Sequence, residues 1–114
     1  MRTTARITFN DFDTTSEVSG LDGSTYIVVT IQFTIAHGTT TQATQASIGI
    51  STRQGRRTYE LIEPPWAYQA ALAQAILDYV REAERLFRIA PAGHEHGSLE
   101  RTVELELDLT GIPL

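Results

Sequence analysis

Strict alternation of apolar and polar positions opens the chain and returns four more times, with one long helical pattern between the fourth and fifth runs. In Arg2 to Phe12, Ala5, Ile7 and Phe9 point one way and Arg6, Thr8 and Asn10 the other, which predicts a first strand. Tyr26 to His37 is the strongest strand signal: Ile27, Val29, Ile31, Phe33 and Ile35 form one row, and Thr30, Gln32 and Thr34 the opposite one. Such a segment belongs in a sheet covered on one face only. Gly38 to Gln42 interrupts the pattern, and Ala46, Ile48 and Ile50 against Gln45, Ser47, Gly49 and Ser51 predict a third strand. Gln54-Gly55 is expected to be a tight hairpin turn, with the glycine well suited and the glutamine less so. Arg56 to Ile62 then forms a fourth strand with Tyr59 and Leu61 inward, and Leu99 to Leu109 a fifth.

Pro64-Pro65-Trp66 to Ala90 predicts the helix. At about 100° per residue, Leu72, Ala73, Ile76, Val80, Ala83 and Phe87 share one side. Tyr68, Tyr79 and Leu86 form one shoulder of that arc and Leu77 the other. Gln74, Asp78, Arg81, Glu82, Arg85 and Arg88 fill the remaining side, where Asp78 with Arg81, Glu82 with Arg85 and Glu84 with Arg88 are spaced to pair along the helix. Pro65 suits a first helical turn, and Pro91-Ala92-Gly93 ends the pattern.

The order β-β-β-β-α-β predicts an α+β fold. If the first four strands form a meander, the helix returns the chain across the sheet and the fifth strand pairs antiparallel with the first, giving sheet order 5-1-2-3-4. The 114 residues are expected to form one domain, 1-114, with the helix covering the apolar face and the polar face looking outward.

Composition narrows the chemistry. There is no Cys, and all nine basic residues are Arg. Thiolate nucleophiles, thiolate metal sites, Schiff-base lysines and phosphate-loop lysines are therefore excluded. No apolar run approaches a membrane span or a signal-peptide core, so a cytoplasmic protein is expected. The formal net charge of −5 argues against a nonspecific nucleic-acid binder.

Four constellations are candidates for sites. Arg53, Arg56 and Arg57 cluster at the hairpin tip, where guanidinium groups could meet phosphates or an acidic partner. Glu104, Glu106 and Asp108 form an outward carboxylate row on the last strand, with a repeat of about 6.6 to 6.8 Å that approaches the spacing of nucleic-acid phosphates. His94-Glu95-His96 is expected in a polar loop ending at Gly97 and lacks helical zinc-site spacing, so no metal is assigned there. Asp11, Asp13, Glu17 and Asp22 put four carboxylates on a stretch that lacks the glycine of a calcium loop.

The leading expectation is a non-enzymatic protein-interaction or assembly module without a cofactor, such as a phage-encoded accessory, inhibitory or structural protein. A homodimer is expected if the wide apolar arc of the helix is not wholly covered by the sheet. One alternative is a small enzyme or ligand-binding domain with a pocket near Tyr59, Trp66 and Tyr79, where Glu60 or Glu63 would serve as base. Another is nucleic-acid contact through Arg53, Arg56 and Arg57.

Overall fold

The computed structural model describes residues 2–15, 24–87 and 95–112, apart from the side chains of Tyr68 and Glu95. Its strands are β1 (Arg2–Thr14), β2 (Thr25–His37), β3 (Thr40–Arg53), β4 (Arg56–Glu63) and β5 (Glu95–Asp108), with the helix α1 (Ala70–Phe87) between the last two. They form one antiparallel sheet in the order β4-β3-β2-β1-β5, the expected arrangement. The alternating rows decide which face is covered: Ile27, Val29, Ile31, Phe33 and Ile35 of β2 are all buried, together with Leu72, Ile76, Val80 and Ala83 of α1. Removing those rows from water, at roughly 25 cal/mol per Å² of apolar surface, is the main force holding helix to sheet.

One parity shift lets the long first strand stay in the core. A bulge between Phe9 and Asp11 displaces the register of β1 against both neighbours. Ala5, Ile7 and Phe9 face the helix before the bulge, and Phe12, which strict alternation would turn outward, faces it afterwards. Opposite Phe12 stands Gly97. The phenyl ring occupies the space that a Cβ at Gly97 would need, and Phe87 closes over the ring edge-on at 5.2 Å. Gly97 is thus a packing glycine inside β5 and not the end of a loop. The expected polar loop is corrected accordingly: Glu95 and His96 are strand residues paired with Thr14 and Asp13, and His94 lies outside the described residues.

The other turns follow local chemistry. Gln54 and Gly55 both have positive φ, 52° and 77°, as a two-residue type I′ hairpin requires. The β2–β3 connection is only Gly38-Thr39, so β3 begins at Thr40 instead of after Gln42. The helix also begins later than expected. Pro65–Tyr68 is a 3-10 turn, and Gln69 adopts extended ψ of 131° before α1 starts. The Gln69 carbonyl accepts the first helical hydrogen bond from Ala73, while its side chain is engaged elsewhere, as described below.

The molecule measures 49 × 23 × 19 Å. Eighteen helical residues span roughly 27 Å, so the helix covers only part of the sheet's length. Among the described residues no helix is long and apolar enough to cross a membrane.

Candidate functional site: a groove between the helix and an open strand edge

The two edges of the sheet meet the helix differently. On the β4 side, Glu84 accepts a hydrogen bond from the Tyr59 hydroxyl at 2.6 Å and forms an ion pair with Arg57. Arg81 lies over the Tyr59 ring at 5.1 Å from its centroid. The charged flank of α1 therefore bridges to a strand more than it pairs along the helix. Within the expected helical pairs only Glu82 and Arg85 approach, at 3.9 Å, and Arg88 lies outside the described residues.

On the β5 side Gln69, just ahead of α1, and Tyr79 and Glu82 within it bond the strand. Gln69 donates its amide to the Asp108 carbonyl at 2.7 Å and accepts from the Asp108 N–H at 2.8 Å, pairing with the strand as another strand would. Glu82 receives Arg101 through two guanidinium nitrogens at 3.0 and 2.5 Å. This pairing draws the Glu82 carboxyl below its ordinary pKa and raises that of Arg101. Tyr79, stacked on Phe9 at 4.8 Å, donates its hydroxyl to the Leu99 carbonyl at 2.6 Å. Burial pushes the Tyr79 phenol well above its usual pKa, with the Asp11 charge adding to the effect, so the hydroxyl remains a donor.

Between the Gln69 and Tyr79 contacts the helix lines its β5 side with Ala71, Gln74, Ala75 and Asp78, none of which reaches across to the strand as Tyr79 and Glu82 do. The result is an open groove of about 350 Å³, floored by Phe9, Val103 and Leu105, walled by Ala71 and Ala75 and rimmed by polar groups including Gln74 and Asp78. The thirteen helical residues from Ala70 to Glu82, rising ~1.5 Å each, span roughly 20 Å, and the seven steps of strand from Arg101 to Asp108, at ~3.3 Å each, roughly 23 Å. Val103 and Leu105, on the apolar side of β5, are only partly buried along the groove. No family model, curated protein or solved structure matches this chain.

The predicted site residues are distributed around this feature. Glu104 and Glu106 are exposed on the outward face of β5, opposite Arg6 and Thr4 of β1. Arg6 reaches Glu104 at 3.3 Å, and the Thr4 hydroxyl donates to Glu106 at 2.5 Å. Asp108 faces Arg2 in the register, but its carboxylate accepts the Thr110 N–H at 2.9 Å, a bond that holds its pKa down to about 2. Glu104 and Glu106 are thus answered from the β1 side.

The arginine cluster does not act as one patch. Arg53 and Arg56 pair across the hairpin tip, whereas Arg57 turns under to Glu84. Tyr59, on β4, bonds Glu84 of the helix, whereas Tyr79 bonds Leu99 of β5 at the opposite edge of the sheet. His96 bonds Asp13 at 2.8 Å through Nδ1 and approaches Asp11 at 3.9 Å, and no group of three ligands able to hold a metal occurs among the described residues. Glu17 and Asp22, the other half of the acidic stretch, lie outside them.

The polar sheet face is laced by its own side chains. Thr8 meets Thr102, Thr30 meets Ser47, each at 3.3 Å, and Gln32 donates to Gln45 at 3.2 Å. Leu86, expected on a buried shoulder, is 46% exposed beside Phe87 at 41%. The groove itself escaped sequence reasoning, although Ala71 and Ala75 at i,i+4 are the signal: they are the small residues on the side of α1 that faces β5.

Proposed function

We propose that this domain is a non-enzymatic protein-interaction module whose working surface is the groove between α1 and β5 together with the free edge of β5. The observation that carries the reading is an apolar floor left open beside the outer edge of β5, which no further strand meets among the described residues, held to a fixed width by Gln69–Asp108 at one end and Glu82–Arg101 at the other. A groove that is preformed in this way loses little conformational entropy when it is filled. Its lining includes no Ser, Thr, Cys, Lys or His, and its carboxylates, Asp78 and Glu82, stand at the rim. The domain would act as an accessory, inhibitory or structural partner of another protein, as a phage-encoded component would.

The experiment is affinity capture from the native host with the wild-type chain, Leu105→Arg and Arg56→Glu. A partner recovered by the wild type and by Arg56→Glu, but lost with Leu105→Arg, is expected. Loss with Arg56→Glu and retention with Leu105→Arg would move the function to the hairpin tip.

A further inference from the structure

Resting on that reading, we infer that the groove takes an extended segment of a partner protein as a sixth strand, with alternating basic and apolar side chains. Three observations on β5 define this occupant.

The first is the direction of the backbone groups. Asp108 gives both its N–H and its C=O to Gln69, so these groups point away from β1. In an antiparallel pair such residues alternate with those bonded to the neighbouring strand. Glu106, Glu104 and Thr102 therefore present their N–H and C=O groups outward, while Leu107, Leu105 and Val103 bond to β1. Arg2 reaches one of the outward groups, the Glu106 carbonyl, at 3.4 Å. Gln69 occupies the end of this edge with an amide in the position a partner strand would take.

The second is the groove. A strand laid along Thr102 to Glu106 would place every other side chain beside Val103 and Leu105, over the apolar floor and against Ala71 and Ala75. A length near 20 Å accepts about six extended residues.

The third is charge. The intervening side chains of the added strand would stand beside Thr102, Glu104 and Glu106 on the outward face. On the β1 side the same row is met by Arg6 at Glu104 and by Arg2 at the register position of Asp108. An added strand completes the pattern if it supplies cations from the other side, since opposite charges stabilise cross-strand pairs and like charges oppose them. A second copy of β5 would instead bring Glu against Glu: centred on Thr102 it sets Glu100 opposite Glu104, and centred on Val103 it sets Glu100 opposite Glu106. The residues Thr40–Ala46 of β3 also extend beyond the last β4 partner, Ser47, but they carry no charge to select an occupant.

The test titrates the ¹⁵N-labelled full chain with three capped seven-residue peptides, alternating lysine and valine, alternating glutamate and valine, and lysine and valine with a central proline. The lysine–valine peptide is expected to shift Ala71, Ala75 and Thr102 to Glu106 and to slow amide exchange at Thr102, Glu104 and Glu106. The proline peptide should bind at least ~10-fold more weakly, because it removes a ladder donor. Glu104→Arg/Glu106→Arg should reverse the preference toward the glutamate peptide. Absence of shifts at millimolar peptide, equal binding of the proline peptide, or protection confined to Thr40–Ala46 would each overturn strand addition at β5. A captured partner that is lost with Leu105→Arg but leaves those amides exchanging freely would overturn the inference and leave the interaction module standing. No groove-dependent partner and no peptide binding would remove both.

Discussion

The two flanks of α1 solve the same packing problem in opposite ways. Toward β4 the helix sends out Arg81 and Glu84, which close over Tyr59 and Arg57. Toward β5 it presents Ala71 and Ala75, and the strand's Val103 and Leu105 remain partly exposed. Both flanks hang from one buried line, Leu72, Ile76, Val80 and Ala83, so the difference is not one of core stability. Long amphipathic side chains seal a flank by bridging the gap, whereas small ones leave a groove wherever the opposing strand is still apolar.

The largest effect should come from the shared line. Ile76→Asp or Val80→Asp buries an unpaired carboxylate under both flanks and should cost more than ~4 kcal/mol. Loss of the cooperative thermal transition by circular dichroism is the expected result. Next comes the sealed flank against the open one. Tyr59→Phe removes a bond to a charged acceptor and should lower stability by about 1 to 2 kcal/mol in urea denaturation. Ala75→Leu adds apolar surface to a groove that has room for it and should raise stability by up to ~1 kcal/mol, while weakening binding of the alternating peptide. If Ala75→Leu destabilises as Tyr59→Phe does, the β5 flank is packed and not open.

The smallest effect is a pH dependence at the clamped end of the groove. The Asp108 carboxyl is held down to about 2 in the folded chain by the Thr110 N–H. Its ordinary value is about 3.9. The native state therefore gains from ionised Asp108 above roughly pH 4 and loses that gain as pH falls toward 2. Asp108→Asn should flatten this part of the acid-denaturation curve and leave its neutral limb in place.

How far this was legible in the sequence follows from which distances matter. The apolar rows of β2 and α1 depend only on local period, and they predicted the covered face, while the order of elements predicted the sheet order and the glycine of Gln54-Gly55 the turn. The later helix start was not legible, because Gln69 leaves the helical pattern to bond Asp108, thirty-nine positions away. The strand character of His96 and Gly97 was equally hidden, since it rests on Phe12 filling the space of a missing Cβ after a bulge. The groove combines both problems. Ala71 and Ala75 are strong helix formers, and only the azimuth of α1 over β5 sets them opposite Val103 and Leu105.

Amide hydrogen exchange along β5 in the free protein tests the central claim most directly. Slow exchange at Val103, Leu105 and Leu107, alternating with fast exchange at Thr102, Glu104 and Glu106, is the pattern of an edge held on one side and open on the other. Uniform protection from Thr102 to Leu107 would mean that the edge is already covered, and it would contradict the groove as a binding surface.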